Sequence, residues 1–334
     1  MAVDWRPFVA LVERHQHFLL TAHIRPDGDA LGSMLGMADL LRQRGKEVQL
    51  AVASIIPPRY DFMHPEGEVK RFDPLSHDFR PPEAVIVLDT GTWAQLGEMG
   101  SWLRTSMAEK VVIDHHLTQD DDLQALRLVD TSAEATGRLV YEASQALGSP
   151  LSPTAAQAVF VALAMDTGWF RHRNTTAATY DLAARLVELG AQPTLVYDCL
   201  FEQNSLGRVL LWARVLSRME LTLDGKVCHT SLLASDYPAT GSTPQDSEDL
   251  VNYTRSIKGV EVGLFFAEQP TGGIKVSFRS RESVDVAQIA QQFGGGGHRL
   301  ASGAILPTSL DEARRRVLAA VTSALCRPAG VSPP

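Results

Sequence analysis

The sequence predicts an α/β fold, with a doubly wound, mostly parallel sheet and a smaller α+β C-terminal domain joined to it by a helical linker. Up to about Gly190, short runs of Val, Ile and Leu alternate with stretches of helical periodicity. These runs are apolar throughout, which is typical of parallel strands buried on both faces. After Gly190 the pattern changes to paired strands joined by tight turns, which is typical of antiparallel hairpins.

In the first domain, continuous apolar runs predict five strands, and spacing of apolar residues at three and four positions predicts the helices. The predicted strands cover residues 18–22, 48–53, 84–88, 111–113 and 126–129. The predicted helices cover residues 4–15, 30–44, 134–147, 153–165 and 176–189. Strands that alternate with helices in this way form parallel βαβ units.

In the second domain, Asp224-Gly225 joins two apolar runs and predicts a hairpin. The paired strands are predicted at 219–223 with 226–232 and at 261–268 with 274–279, and helices at 247–256, 284–293 and 310–325. We therefore expect a catalytic domain at 1–192, a helical linker at 193–218, a substrate domain at 219–326 and a disordered tail at 327–334.

Composition restricts the possible functions. The chain of 334 residues is 45% hydrophobic and carries a formal net charge of −8, which argues against a broad surface for long nucleic acid. A small anionic substrate in a local pocket remains compatible with that charge. Three widely spaced cysteines without a CxxC predict reduced thiols. We see no apolar run long enough for a membrane span and no signal peptide, so we expect a cytoplasmic protein.

Acidic and histidine side chains follow the ends of predicted strands and of one predicted helix. They are His23, Asp27 and Asp29 after the first strand, Asp89 after the third, Asp114, His115 and His116 after the fourth, and Asp166 after the helical run 159–165. Ligands of open α/β sheets bind at the carboxyl ends of the strands. We therefore expect these five carboxylates and three histidines to share one crevice.

So many carboxylates in one crevice would repel one another, and divalent cations would relieve that repulsion. Mixed imidazole and carboxylate ligands favour metals such as Mn²⁺ over Ca²⁺ or a thiolate zinc site. Two such metals could generate a hydroxide and hold the oxygens of an in-line phosphoryl displacement. Each motif alone could be an ordinary turn, a surface pair or a helix cap, and it is their combination that indicates a metal centre.

A second candidate site lies in the C-terminal domain, where a glycine run precedes His298. The glycines Gly295, Gly296 and Gly297 let backbone N–H groups approach an anion closely. The run lacks the Lys-Ser/Thr of a P-loop. Arg279, at the end of a predicted strand, could bind a phosphate. Arg171 follows the Asp166 motif and would add positive charge near the metal crevice, although it could equally be ordinary surface charge.

These residues resemble the motifs of the DHH phosphoesterases. The resemblance rests on four catalytic motifs and on Phe278-Arg279-Ser280 and Gly295-Gly-Gly-His298 of the associated substrate domain. The catalytic motifs are His23-x-x-Pro-Asp27-Gly-Asp29-Ala-x-Gly32-Ser33, Asp89, Asp114-His115-His116 and Asp166-Thr-Gly168. The similarity is greatest to the stand-alone bacterial oligoribonucleases of the nanoRNase type, which also dephosphorylate 3′-phosphoadenosine 5′-phosphate (pAp).

The resemblance implies a role for each residue. His23, Asp27 and Asp89 would hold one metal, and Asp29, Asp89, His115 and Asp166 the other, with Asp89 bridging. His116 would contact the scissile phosphate or the leaving group, and Asp114 would orient a ligand histidine. The nucleotide would be gripped by Arg279, Gly295, Gly296, Gly297 and His298, with Arg171 as a further candidate. Mn²⁺ is the expected metal, with Mg²⁺ or Co²⁺ as alternatives, and a homodimer is expected.

The implied activity is hydrolysis of oligoribonucleotides of about two to five nucleotides to mononucleotides, and of pAp to AMP. A cytosolic phosphodiesterase for cyclic or linear dinucleotides is an alternative that the motifs do not separate. A type II inorganic pyrophosphatase is disfavoured because pyrophosphate needs no nucleotide grip. A non-catalytic nucleotide- or RNA-binding module is disfavoured because it does not need a complete set of metal ligands. Sensor, membrane or further nucleic-acid-binding domains are not expected.

Overall fold

The computed structural model describes residues 3–64, 67–270, 272–281 and 284–326. The chain divides into two compact units, Met1–Gln203 and Asn204–Pro334. The predicted linker contains two helices, Pro193–Phe201 in the first unit and Leu206–Leu216 in the second. The predicted disordered tail, 327–334, lies outside the described residues. The domain boundaries drawn from the sequence remain predictions.

The first unit is built on a sheet of six parallel strands in the order β3-β2-β1-β4-β5-β6. All five predicted strands are present, and β3 is an additional short strand at the edge. The strands are β1 (His17–Thr21), β2 (Glu47–Val52), β3 (Val69–Arg71), β4 (Ala84–Leu88), β5 (Glu109–Asp114) and β6 (Leu126–Val129). This strand order confirms the predicted doubly wound sheet.

Helices cover both faces of this sheet. They are α1 (Arg6–Arg14), α2 (Gly28–Gln43), α3 (Trp93–Leu96), α4 (Glu98–Thr105), α5 (Thr136–Leu147), α6 (Pro153–Asp166), α7 (Ala177–Glu188) and α8 (Pro193–Phe201). Neighbouring residues of β1 point to opposite faces. Leu20 packs in the core formed with α2, α5 and α6, and Leu19 packs with Leu96 and Met99 on the other face.

A glycine stripe lets α2 and α6 pack closely. Gly28, Gly32 and Gly36 are spaced by four residues and lie on one face of α2. A Cβ on Gly32 would lie 2.2 Å from the carbonyl oxygen of Ala158, so no larger side chain fits there without a shift of the backbone. A Cβ on Gly28 would lie 2.4 Å from Cγ of Met165. This close approach brings the start of α2 to the end of α6.

The second unit contains a mixed sheet of six strands in the order β11-β12-β10-β9-β8-β7. Its strands are β7 (Glu220–Thr222), β8 (Val227–Leu232), β9 (Val262–Glu268), β10 (Ile274–Ser280), β11 (Gly296–His298) and β12 (Ala301–Leu306). Its helices are α9 (Leu206–Leu216), α10 (Asp236–Thr240), α11 (Leu250–Ser256), α12 (Val286–Gln291) and α13 (Leu310–Leu325). Both predicted hairpins are present, since β7–β8 and β9–β10 pair antiparallel.

Candidate active site

The candidate site of the first unit lies where the strand order reverses. Strands β1 and β4 are neighbours at the centre of the sheet, and β5 follows on one side. His23 comes two residues after β1, Asp89 directly after β4, and Asp114 is the last residue of β5. The structure thus brings the predicted segments together at the crevice where open α/β sheets bind their ligands.

Two groups of ligand atoms meet at Asp89. On one side, Nε2 of His23 lies 3.8 Å from Oδ1 of Asp27 and 3.4 Å from Oδ2 of Asp89. On the other, Nε2 of His115 lies 3.6 Å from Oδ1 of Asp89 and 3.3 Å from Oδ2 of Asp166. The two oxygens of Asp89 therefore face different groups, which is the arrangement that a carboxylate bridging two metals requires.

The backbone and one hydroxyl fix the bridging carboxylate of Asp89. The residue adopts a left-handed conformation, with φ 64°. Its N–H donates to the carbonyl oxygen of Ile113, and its Oδ1 accepts a hydrogen bond of 2.8 Å from the Thr136 hydroxyl. A non-glycine residue in this region carries strain of about 1–3 kcal/mol, and such strain is found mainly at functional sites.

Two helix N-termini position the aspartates that follow β1. Oδ1 of Asp27 accepts from the N–H groups of Asp29 and Ala30 and so caps α2. Asp29 is buried and accepts from the N–H groups of Thr136 and Gly137 at the start of α5, at 2.7 and 2.9 Å. Helix N-termini stabilise negative charge. Oδ2 of Asp29 also lies 3.7 Å from Nε2 of His115, within the second group.

The adjacent histidines His115 and His116 are held differently. Nδ1 of His115 contacts the carbonyl oxygen of Ala133 at 3.1 Å, which leaves Nε2 facing the carboxylates. Nδ1 of His116 instead contacts Oδ1 of Asp114 at 2.8 Å, and its ring is about half exposed, at 53%. Nε2 of His115 lies 3.3–3.7 Å from oxygens of three carboxylates, whereas His116 contacts Asp89 and Asp114 through Nδ1. His115 is therefore the better metal ligand, and Nε2 of His116 is left to meet a substrate.

The crowding of buried charged groups in the metal-free cluster shifts their pKa values. Burial and repulsion from Asp89 and Asp166 raise the pKa of Asp29 well above its usual value. Burial and repulsion from Asp89 likewise raise the pKa of Asp166 to about 6, against the attraction of His115. Burial lowers the pKa of His23, but its contacts with Asp27 and Asp89 prevail and raise it to about 10.

The residues fit a metal centre. Nε2 of His115 is buried and has no hydrogen-bond partner among the described residues, although three carboxylates surround it. A cation would satisfy that nitrogen and neutralise the carboxylates. The candidate ligand atoms of the two groups, His23, Asp27, Asp89 and Asp29, His115, Asp166, lie within 4.8 Å of one another in each group.

Several supporting residues were assigned no role from the sequence, although Ser33 belongs to the first motif. Thr136 binds Asp89 and Asp29, the Ser33 hydroxyl donates to Oδ1 of Asp29, and Nε2 of Gln119 donates to Oδ2 of Asp114 at 2.6 Å. The side chain of Asn174 donates to the carbonyl oxygen of Asp166. The only sequence signal for them is Thr136-Gly137 at the predicted start of a helix, because a helix N-terminus indicates a possible anion site.

Arg171 lies beside the Asp166 motif, and its Nε donates to the carbonyl oxygen of Gly168 at 2.7 Å. Its side chain is exposed, so it adds positive charge close to the end of α6. No carboxylate of the two metal groups is recorded as its partner among the described residues. A role in substrate binding therefore stays a prediction for Arg171.

In the second unit, the glycine run forms the short edge strand β11. A Cβ on Gly295 would lie 2.1 Å from the carbonyl oxygen of Gly303, and a Cβ on Gly297 would lie 2.7 Å from that of Ala301. Both glycines are thus required by close packing against β12. Gly296 has open space where a Cβ would be, and His298 is exposed. Arg279, in β10, is partly buried.

Comparison with known proteins agrees with this geometry. The model of the DHH family, N-terminal domain, matches residues 17–164, and that of the DHHA1 domain matches residues 224–325. The bifunctional oligoribonuclease and PAP phosphatase NrnA of Thermus thermophilus is 34% identical over 312 residues, which cover 92% of this chain and 90% of that protein. The chain belongs to the DHH family of phosphoesterases.

Two further relatives extend the comparison of this DHH phosphoesterase. The NrnA protein of Bacillus subtilis, which has the same description, is 28% identical over 310 residues, or 92% of this chain and 94% of that protein. The crystal structure of an exopolyphosphatase-related protein from Bacteroides fragilis matches with a TM-score of 0.88, at 26% identity over 95% of each chain. The predicted family, the two-domain fold and the class of metal-dependent phosphoester hydrolase are confirmed.

Proposed function

We propose that this DHH phosphoesterase hydrolyses short oligoribonucleotides to mononucleotides and pAp to AMP. The observation that carries the proposal is its similarity, over 92% of the chain, to two proteins described as bifunctional oligoribonuclease and PAP phosphatase. Both functional regions are included in the matched domains, the Asp/His cluster in 17–164 (except Asp166) and the Arg279–His298 region in 224–325.

His23, Asp27 and Asp89 would hold one divalent cation, and Asp29, Asp89, His115 and Asp166 the other. When bound, these cations supply positive charge to the phosphoryl oxygens and lower the pKa of water. Asp27 and Asp29 are held by helix N-termini, and Asp89 by the Thr136 hydroxyl, so the ligand positions are fixed before substrate arrives. We propose Mn²⁺ as the cation because imidazole and carboxylate ligands suit it.

His116 would act on the substrate through Nε2. Its hydrogen bond with Asp114 raises the pKa of His116 to about 9, against the effect of burial. The imidazole can therefore carry a proton at neutral pH and donate it, or a hydrogen bond, to a phosphate oxygen or to the leaving oxygen. Asp114 is buried and also accepts from the N–H groups of His115 and His116, so it fixes both the charge and the orientation of this ring.

In the second unit, Arg279, Gly295, Gly296, Gly297 and His298 would bind the nucleotide and its non-scissile phosphate. Guanidinium groups bind phosphate through two parallel hydrogen bonds.

Across the described residues, no helix combines the length and the apolar composition that a bilayer crossing requires. A homodimer remains the prediction from the family resemblance, and a cytoplasmic location remains the prediction from the sequence.

The deciding experiment compares pAp, a short 5′-phosphorylated RNA, pApA, cyclic di-AMP and pyrophosphate as substrates with Mn²⁺. Asp89→Ala should abolish turnover, because it removes the carboxylate shared by both metal groups. Asp121→Ala, an exposed carboxylate of the same unit, is the matched control and should keep full activity. Turnover of the short RNA and pAp supports the proposal. Turnover of pyrophosphate or the cyclic dinucleotide alone refutes the substrate assignment, and metal binding without turnover favours a binding module.

A further inference from the structure

The sheet of the second unit aligns Arg279 with His298. Arg279 in β10 pairs with Ala301 in β12, and Ala301 pairs with His298 in β11. Directly paired residues project their side chains to the same face of a sheet. The two candidate phosphate-binding residues therefore share a face, with their backbones about 10 Å apart across two strand spacings. The residue between them, Ala301, carries only a methyl group. No long side chain therefore lies between Arg279 and His298 along this row.

This face points away from the core that the sheet forms with α12 and α13, whereas its β9 part packs against α11. Phe278 and Ser302, which neighbour Arg279 and Ala301 along their strands, are buried. Ser277 and Gly303, two residues from Arg279 and Ala301 and therefore on their face, are small and partly exposed. On the β12 side of Arg279, this face therefore carries only small side chains next to the guanidinium.

Two acceptors hold the guanidinium of Arg279. Its Nε donates to Oδ1 of Asn252 at 3.2 Å, and its Nη1 donates to the carbonyl oxygen of Phe278 at 3.0 Å. A guanidinium has five N–H donors. Among the described residues these are the two contacts recorded for the group, so three donors remain for a ligand.

Asn252 is itself held in place by two hydrogen bonds to Asp249. Its Nδ2 donates to Oδ1 of Asp249 at 3.3 Å, and its backbone N–H donates to the Asp249 carbonyl oxygen at 2.9 Å. Asp249 adopts a left-handed conformation, with φ 67°, directly before α11. A short chain of hydrogen bonds thus runs from Asp249 through Asn252 to Arg279.

The helix that carries Asn252 is pressed onto the sheet beside Arg279. Arg279 pairs with Gly263 in β9, and a Cβ on Gly263 would lie 2.2 Å from Oγ1 of Thr254 and 2.9 Å from the backbone nitrogen of Arg255. Because α11 lies this close to the strand next to Arg279, the position of Asn252 relative to the guanidinium is set by backbone packing.

We propose that Asn252, oriented by Asp249, is a positioning residue that presents the Arg279 guanidinium to the terminal, non-scissile phosphate of the substrate. The inference rests on the proposed function and adds to it the residue that makes the phosphate contact selective. A long arginine side chain loses rotamer freedom when it binds phosphate. Fixing Nε beforehand lowers that loss and leaves the other N–H groups for a bidentate contact.

The test compares pApA, which carries a terminal phosphate, with ApA, which lacks it. Wild-type protein should prefer pApA, and Asn252→Ala should lower that preference about tenfold through KM, the size expected for one lost hydrogen bond to a charged group. The kcat for both substrates and the KM for ApA should not change. Asn252→Asp keeps an oxygen acceptor for Nε but loses the donor to Asp249, so it should restore the preference only in part.

Two controls separate positioning from a general structural role. Ser256→Ala removes an exposed side chain from the same helix and should leave both substrates unaffected. In an Arg279→Ala background, Asn252→Ala should have no further effect on KM. An equal loss for pApA and ApA, or a full effect of Asn252→Ala without Arg279, would overturn the inference.

Failure of the proposed function gives a different result. If wild-type protein hydrolyses neither dinucleotide, the positioning role is decided by calorimetric binding of AMP and adenosine to the full chain. Asn252→Ala should then weaken the binding of AMP about tenfold and leave that of adenosine unchanged. Unchanged binding of AMP, or equal weakening of both compounds, rejects the inference on its own.

Discussion

At the scale of single residues, Nδ1 decides what each of two adjacent histidines can do. Nδ1 of His115 forms a hydrogen bond with a backbone carbonyl, and Nε2 of the same ring faces three carboxylates. Nδ1 of His116 forms a hydrogen bond with Asp114, and Nε2 takes no part in that contact. The sequence motif Asp114-His115-His116 predicts that both imidazoles are functional. The motif cannot predict where the Ala133 carbonyl lies, because Ala133 belongs to another segment of the chain.

Asp114→Asn should separate the two roles. Asparagine can keep the oxygen that accepts from His116, but the loss of the negative charge lowers the pKa of that imidazole. We expect kcat to fall on the order of 10²-fold, as for the loss of a general acid. The alkaline limb of the pH–rate profile should also move to lower pH. Calorimetric titration should show Mn²⁺ affinity within about threefold of wild type, since asparagine keeps an oxygen for the backbone N–H of His115 and the Ala133 carbonyl holds the ring of that ligand. A parallel loss of Mn²⁺ affinity would contradict the assignment of His116.

Asp166→Asn should stabilise the metal-free protein. The pKa of Asp166 is raised from 3.8 to about 6, so its contribution to stability is present below pH 3.8 and is lost as the pH rises through 6. In EDTA at neutral pH, the asparagine variant should therefore melt a few degrees above wild type, at about 2–4 °C for each kcal/mol regained.

The gap in Tm between Asp166→Asn and wild type should narrow on acidification and close below about pH 3.8, because wild-type Asp166 is then largely protonated in both states. Added Mn²⁺ should reverse the order, since it stabilises the protein that retains all ligands. A variant that is less stable than wild type in EDTA at neutral pH would show that Asp166 has a favourable partner rather than a repulsive environment.

At the scale of elements, helix packing rather than any catalytic motif brings Asp166 to the site. Asp27 and Asp29 lie at the start of α2, and Asp166 lies at the end of α6. The glycine stripe of α2 lets the two helices run close together. Nothing in the Asp166-Thr-Gly168 motif predicts this contact, although Gly28, Gly32 and Gly36 at four-residue spacing are an identifiable sequence signal.

Gly32→Ala and Gly36→Ala should differ in severity. A Cβ on Gly32 meets the Ala158 backbone oxygen at 2.2 Å, whereas a Cβ on Gly36 meets the side-chain carbon Cγ2 of Val159 at 2.7 Å. Side chains can shift more easily than helix backbone. We expect Gly32→Ala to lower the free energy of unfolding by about 3 kcal/mol and Gly36→Ala by about 1 kcal/mol, within the range of overpacked cores.

Chemical denaturation of both glycine variants in EDTA measures these losses of stability, and Mn²⁺ affinity should fall with Gly32→Ala because Asp166 is displaced. Equal losses of stability at the two positions would show that the backbone at Ala158 yields as easily as the side chain of Val159.

The sequence predicted most elements because their signals are local. Continuous apolar runs identified the five longer strands of the first sheet, and Asp224-Gly225 identified a hairpin. Strand β3 was missed because its three residues are too few for a period, and β11 because its glycines have no side chains to form one. The support of Asp89 and Asp29 by Thr136 was missed because that contact joins segments that are far apart in the chain.

At the scale of the whole molecule, charge separates a short-substrate enzyme from one that binds long nucleic acid. The net charge of −8 gives no general attraction for a polyanion. Positive charge for the substrate is instead expected locally, at Arg279 in the second unit and at Arg171 in the first. Each phosphate contact to a single strand contributes about −0.7 to the slope of log affinity against log salt concentration. An enzyme that grips one terminal phosphate should therefore depend only weakly on salt.

We expect the slope of log kcat/KM for pApA against log KCl concentration to lie between about −0.7 and −1.4, corresponding to one or two phosphate contacts. Arg279→Ala should make it shallower by about 0.7, because one contact is lost. A long unstructured RNA should not compete with pApA at physiological salt. A slope steeper than about −3, or strong competition by long RNA, would mean that the chain engages several phosphates at once. The selectivity for short substrates would then have to arise from something other than a single terminal contact.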